Sequence, residues 1–202
     1  KGRLQAYQTG LALSKLSIDA VYSSPLRRTQ ETAGEILTAM DTVNDRIYNL
    51  EIQTHPYLKE VDLPEWQGLS FQYVRENLAE DYRMWREKPH QFSIALQAVE
   101  DISVSSESNI SILTKELEAL SKIQYPVLDL HQRAEEFWQE TLSRHAGETI
   151  LIVSHGGTIR ALINTAIGIE SDRFHYLQQS NCGISILEFD SLQPRSAGLE
   201  VI

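Results

Sequence analysis

The stretch "ETILIVSHGGTIRALINTAIG", residues 148–168, decides the fold. Thr149 to Val153 is a continuous apolar run, the pattern of a strand covered on both faces and so of a central strand in a parallel sheet. Ser154 to Gly157 reads as a turn, and Thr158 to Ile167 as a helix ended at Gly168. His155 sits in that turn. The two glycines after it let backbone amides approach a ligand closely at a helix N-terminus.

The same alternation runs outward in both directions. Leu4, Tyr7, Leu11 and Leu13 recur at near-helical spacing in residues 2–16, and "IDAVYSS" (18–24) predicts a short buried strand. Ser-Ser-Pro then opens a helix over 25–39, because a serine caps free amides and proline loses nothing at the first helical position. "RIYNLEIQTHPYLKEV" (46–61) predicts another strand, running into a loop punctuated by Pro64 and Gly68, and residues 70–88 predict one or two helical pieces ended by Pro89. From Leu128 to Arg144, the positions Leu130, Ala134, Phe137, Trp138, Thr141 and Leu142 line one face of a long helix ended by Gly147. "GISILEFD" (183–190) is a last strand, after which residues 191–202 are expected to be a tail or linker. Residues 90–124, with "SVSSESN" and "ISILTKELEAL", are expected to be an insertion with structure of its own. Strand and helix in alternation imply an α/β three-layer sandwich in one domain, residues 1–190, with a mostly parallel central sheet and helices on both faces.

Composition narrows the partners. A formal charge of -10 excludes the broad basic footprint that nucleic-acid binding needs, so an anion site must be a local concentration of positive groups. The single cysteine, Cys182, excludes an internal disulfide framework and a structural zinc cluster, and is expected to be a small packed residue. No apolar run approaches the roughly 20 residues of a membrane span. The expectation is a cytoplasmic protein with neither a nucleic-acid nor a membrane partner.

In open α/β folds, ligands bind beyond the carboxyl ends of the strands. Two turns hold that position with chemically loaded residues: "SSPLRR" (23–28) and "SHGG" (154–157). Two cations at the positive end of a helix dipole disfavour that helix unless something anionic faces them. A histidine beside free amides can bind phosphate or stabilise developing charge, and an arginine can grip phosphate oxygens through its planar fork of donors. Singly, each has a plainer reading: His155 as a structural residue, Arg27 and Arg28 as solvated surface charges, Glu60 as an exposed loop carboxylate.

Jointly and in order, these segments resemble the histidine phosphatase superfamily, also called phosphoglycerate mutase-like. "SSPLRRTQETA" (23–33) is similar to its arginine motif, and "LKEVDLPEWQGLS" (58–70) to its acidic motif, with Pro64 where glycine is common. "VSHGGTIRALI" (153–163) resembles its second histidine motif, and "SNCGISILEF" (180–189) its final strand with the preceding Asn. The resemblance covers residues 1–89 and 125–190. It implies that phosphate sits among two histidines and two arginines, and that one histidine attacks phosphorus to give a phosphohistidine. On that footing Arg28 is a phosphate-clamping arginine, Glu60 the proton donor to the leaving oxygen, and His155 the supporting histidine. Asn181, the backbone of Gly156 and Ser24 are further phosphate contacts. A carboxyl beside a phosphate dianion keeps its proton more readily than in water, which suits the role given to Glu60. The implied activity is metal-independent hydrolysis of a small phosphorylated metabolite, with no cofactor and no metal site. The helix carrying "FWQETL" is similar to phosphatases of photosynthetic organisms that act on sugar phosphates, some with two such domains. A second domain or a homo-oligomer is compatible with this, and the alternatives are a cofactor-dependent phosphoglycerate mutase and a non-catalytic phosphate-binding regulator.

One part of the pattern is missing. The family's Leu-x-Arg-His-Gly-Glu motif, which supplies the attacking histidine, has no match in these 202 residues, and His55, His90, His131, His145 and His175 lie in other contexts. The expectation is therefore a sheet without its first strand and a chain that hydrolyses no phosphate monoester by itself. A fragment of a longer gene product, an inactive relative, and a strand supplied by another chain each account for that. Truncation is the favoured account.

Overall fold

The computed structural model describes residues 1–43, 50–95, 123–190, 193 and 197–201. In chain order the elements are α1 (Gly2–Leu13), β1 (Ala20–Ser23), α2 (Arg27–Val43), β2 (Ile52–Thr54), α3 (Phe71–Asn77), α4 (Ala79–Glu87), β3 (Ile94–Ala95), β4 (Ile123–Gln124), α5 (Pro126–Thr141), β5 (Ile150–Val153), α6 (Gly156–Ile167), β6 (Ser185–Phe189) and β7 (Ala197–Val201). They divide into two compact units, Lys1–Val61 with Leu130–Ile202, and Asp62–Asp129.

The first unit is an α/β layer structure on a parallel sheet of order β2-β1-β5. Val21 pairs with Ile52 and Leu151, and Ser23 with Thr54 and Val153, so all three strands end at one edge. Among the described residues the middle of this sheet is β1, which has a neighbour on each side and is buried throughout. β5 has a described neighbour only on its β1 side, and Ile150, Leu151 and Ile152 are half-buried in consequence.

Alternation along β1 distributes side chains to two layers. Val21 joins Ala6 and Leu13 of α1 and Ala33, Ile36, Leu37 and Met40 of α2 in a core on one face. Tyr22 points the other way and meets Phe137 of α5 edge-to-face, ring centroids 5.6 Å apart. The apolar stripe read from Leu130 to Leu142 is buried as expected. Its Trp138 donates to the Leu162 carbonyl (3.0 Å) and to Thr165 Oγ1 (3.1 Å), tying α5 to α6. α5 stops at Thr141 rather than Arg144, because the chain folds back there through Arg144 N–H to the Thr141 carbonyl; Gly147, with φ +75°, belongs to the turn into β5. α6 ends at Gly168 in the left-handed conformation that glycine adopts without cost.

The tail expected over 191–202 is corrected at residues 197–201. They form β7, antiparallel to β6 from Ser185 opposite Val201 to Phe189 opposite Ala197. A short strand whose partner is an edge gains its backbone hydrogen bonds from that pairing, which local composition does not announce.

In the second unit the helical stretch is broken at Leu78 (φ -122°, ψ 49°) into α3 and α4. Trp66, Trp85 and Phe92 form its aromatic cluster, with centroids 5.5–5.8 Å apart. β3 and β4 pair antiparallel, Ile94 opposite Gln124. The insertion expected at 90–124 falls in this unit, and its residues 96–122 lie outside the described residues.

Two helical glycines differ in what surrounds them. A Cβ on Gly10 would stand 2.7 Å from the Cβ of Ala39, against the α2 backbone, whereas a Cβ on Gly34 meets nothing within 4 Å. Glycine inside a helix costs about 1 kcal/mol relative to alanine when nothing obstructs the change. Gly34→Ala is therefore expected to raise the melting temperature and Gly10→Ala to lower it, read by circular dichroism. A gain in both variants would contradict the close α1–α2 packing.

Candidate active site

Because Ser23 of β1 lies opposite Val153 of β5, the residues that leave these two strands emerge side by side, and Ser24 N–H continues the pairing onto the Val153 carbonyl (3.1 Å). The site is built from those exits. Ser24 Oγ accepts the Leu26 N–H (3.3 Å) as the chain turns into α2. Arg27 and Arg28 then part company. Arg27 is exposed and donates to Glu31 one turn along its own helix (2.7 Å). Arg28 faces the other strand exit and donates from Nε to His155 Nδ1 at 3.2 Å.

His155 precedes α6 in an extended conformation and is buried. A guanidinium only donates, so Nδ1 must accept, and the ring hydrogen sits on Nε2, 2.8 Å from Ser24 Oγ. The imidazole is thus held neutral in one tautomer. Its pKa is lowered from the usual 6.5, first by burial; the Glu60 carboxylate opposes that, and the Arg28 charge adds to it.

Glu60 reaches the same helix start. Its Oε1 accepts the Val61 N–H (2.9 Å) and lies 3.4 Å from Thr158 Oγ1, while Oε2 accepts the Gly157 N–H at 3.4 Å. A Cβ on Gly157 would come within 2.6 Å of Glu60 Oε1, so this glycine is what admits the carboxylate. Gly156 has open space around the same position and contributes only its place at the helix start. Local reading found the glycine pair but not which member matters, since the partner is 97 residues away.

The structure thus gathers Ser24, Arg28, Glu60, His155 and Gly156 at one crest. Asn181 is exposed in the turn before β6 and, among the described residues, makes no hydrogen bond to any of them. Cys182 beside it packs half-buried against the α1–α2 core, as expected for a small packed residue, and its carbonyl accepts from Thr9 Oγ1 (3.1 Å). Other histidines of the first unit have their own partners. His55 bonds the Tyr57 N–H and Glu140, His145 bonds Tyr22 Oη and Glu148, and the rings of His131 and His175 lie against Phe174. Among the described residues no group of His, Cys, Asp and Glu could hold a metal ion, and no helix is long and apolar enough to cross a membrane.

An arginine, a helix N-terminus, a buried imidazole and a carboxylate converge here. The profile of the histidine phosphatase superfamily (branch 1) matches residues 1–104 and 114–201, and the chain belongs to that family. It is 31% identical over 189 residues to the 2-carboxy-D-arabinitol-1-phosphatase of Triticum aestivum, covering 94% of this chain and 31% of that protein. It is 27% identical over 190 residues to phosphoserine phosphatase 1 of Hydrogenobacter thermophilus, covering 94% and 74% respectively. Bacillus stearothermophilus YhfR shares the fold, with a TM-score of 0.70 at 22% identity over 95% of this chain and 78% of that one. The chain therefore spans about a third of the wheat relative's length.

The lowered His155 pKa makes a prediction about stability. Between its folded value and the ordinary 6.5, the unfolded chain binds more protons, so stability is full above that window and is lost as pH falls through it. Urea midpoints measured at about pH 7.5 and about pH 5.5 should therefore fall further in the native sequence than in His155→Gln. An equal fall in both would contradict a buried neutral imidazole.

Proposed function

We propose that the full-length gene product containing these residues is a metal-independent phosphomonoesterase that works through a phosphohistidine, and that this chain supplies its clamp and its acid. Arg28 grips equatorial phosphate oxygens, and His155 stabilises the charge that builds on them. A histidine nitrogen attacks phosphorus while the ester P–O bond breaks, and Glu60 gives its proton to the departing alkoxide. Water then attacks the phosphohistidine, returning a proton to Glu60 and releasing inorganic phosphate. The observation that carries this reading is the joint engagement of Arg28 and Glu60 at the helix start that bears His155. The attack is assigned to a histidine outside these 202 residues, because the motif that supplies it in the family has no match among them. Similarity to a relative named for 2-carboxy-D-arabinitol 1-phosphate supports small phosphorylated sugar acids as the substrate class to test first.

In the full-length product, Arg28→Ala and His155→Ala should each lower kcat/KM for phosphate release by roughly 100- to 1000-fold, the usual cost of removing one donor to developing negative charge. The 202-residue chain alone should release phosphate no faster than its own His155→Ala variant. Unimpaired turnover in His155→Ala, or hydrolysis by the short chain, would overturn the reading.

A further inference from the structure

The segment that carries Glu60 has no sheet ladder to satisfy it. β2 ends at Thr54, and the following backbone turns through a short helical piece at Pro56–Leu58. Three successive carbonyls of this segment are taken instead by side chains. Arg133 of α5 donates to the Tyr57 carbonyl (3.3 Å) and to the Lys59 carbonyl (2.9 Å), Ser154 Oγ donates to that of Leu58 (2.7 Å), and Thr158 Oγ1 to that of Lys59 (2.7 Å). Leu58 is fully buried and Thr158 almost so; the bonds from Ser154 and Thr158 are part-buried, and the one from Arg133 to the Lys59 carbonyl is exposed.

Thr158 uses its hydroxyl differently from four other helical threonines. Thr32, Thr38, Thr141 and Thr165 each give their hydroxyl proton to the carbonyl four residues back in their own helix. Thr158 stands in the first turn of α6, where no helical carbonyl lies four residues back, and its proton leaves the helix for Lys59. The Lys59 carbonyl belongs to the planar peptide bond that enters Glu60, so holding it fixes the direction in which the Glu60 side chain departs. Gly157 N–H holds the far end of the same side chain. Residues 154–158 therefore carry His155 and grip the Glu60 segment at three heights.

We propose that Thr158, assisted by Ser154, is a positioning residue that sets Glu60 at its working distance from the phosphate crest. The proposal rests on the reading of Glu60 as the proton donor. Proton transfer to a leaving oxygen demands sub-ångström placement, and an error of about 1 Å costs roughly 100-fold. Arg133 keeps a second bond to the same carbonyl, so loss of the Thr158 hydroxyl loosens the segment without releasing it.

The discriminating variable is how much the leaving group needs a proton. In the full-length gene product, Thr158→Val keeps the shape but not the donor. It should slow kcat for an alkyl phosphate such as glycerol phosphate by about 10- to 100-fold, while kcat for 4-nitrophenyl phosphate and both KM values change by less than about 3-fold. Thr158→Ser should restore the alkyl rate, and Ser154→Ala should show the same selectivity, serving as the test if Thr158→Val does not fold. Equal slowing of both substrates, or none, overturns the proposal. Glu60→Gln separates the two levels. If it is selective while the Thr158 and Ser154 variants are not, only the positioning role falls. If it slows both substrates alike, or the native product hydrolyses neither, the reading of Glu60 falls and takes the proposal with it.

Discussion

The Ser24–His155–Arg28 contact is the interaction on which the rest of the site depends. It joins the exit of β1, the first turn of α2 and the start of α6 through one buried ring whose two nitrogens are both committed. An imidazole removed from water is costly unless both nitrogens are paired, and here the pairing also fixes the tautomer. Parallel register makes the contact possible: with Ser23 opposite Val153, the residues after each strand have to emerge as neighbours. The sheet thus converts two segments 127 residues apart in sequence into one donor array.

Electrostatics at the crest is balanced rather than one-sided. Burial and the Arg28 charge keep His155 neutral, while the Glu60 carboxylate pulls the other way. A phosphate dianion entering between these groups would add negative charge, which favours the protonated imidazole, whose Nδ1–H would then turn from Arg28 to a phosphate oxygen. Binding and charge state are in this way linked without a change of fold. Two arginines at a helix start, costly for the helix taken alone, are engaged differently: Arg27 is offset by Glu31 one turn away, and Arg28 donates to His155.

What the sequence disclosed followed from how local the signal is. The strand and helix of residues 150–167, the buried stripe of α5 and the helix after Ser-Ser-Pro each repeat a pattern within a single element, and all three are present, the last starting at Arg27 rather than at Pro25. Arg28, Glu60 and His155 could be singled out because their motifs occur in a fixed order. The place of β1 between β2 and β5, the strand at 197–201 and the grip of Gly157 and Thr158 on the Glu60 segment depend on which element arrives alongside, and spacing within an element carries no trace of that. Asn181 shows the converse, a motif position that the described contacts leave outside the crest.

The most direct test is the protonation of the His155 ring, followed by long-range proton–nitrogen NMR with inorganic phosphate as the only added ligand. Without phosphate at neutral pH, the account predicts a neutral ring protonated on Nε2. As phosphate is added, the signal should move toward the doubly protonated form, and Arg28→Ala should abolish the response. A ring protonated on Nδ1, or one indifferent to phosphate at millimolar concentration, would contradict the assignment of this crest as a phosphate site.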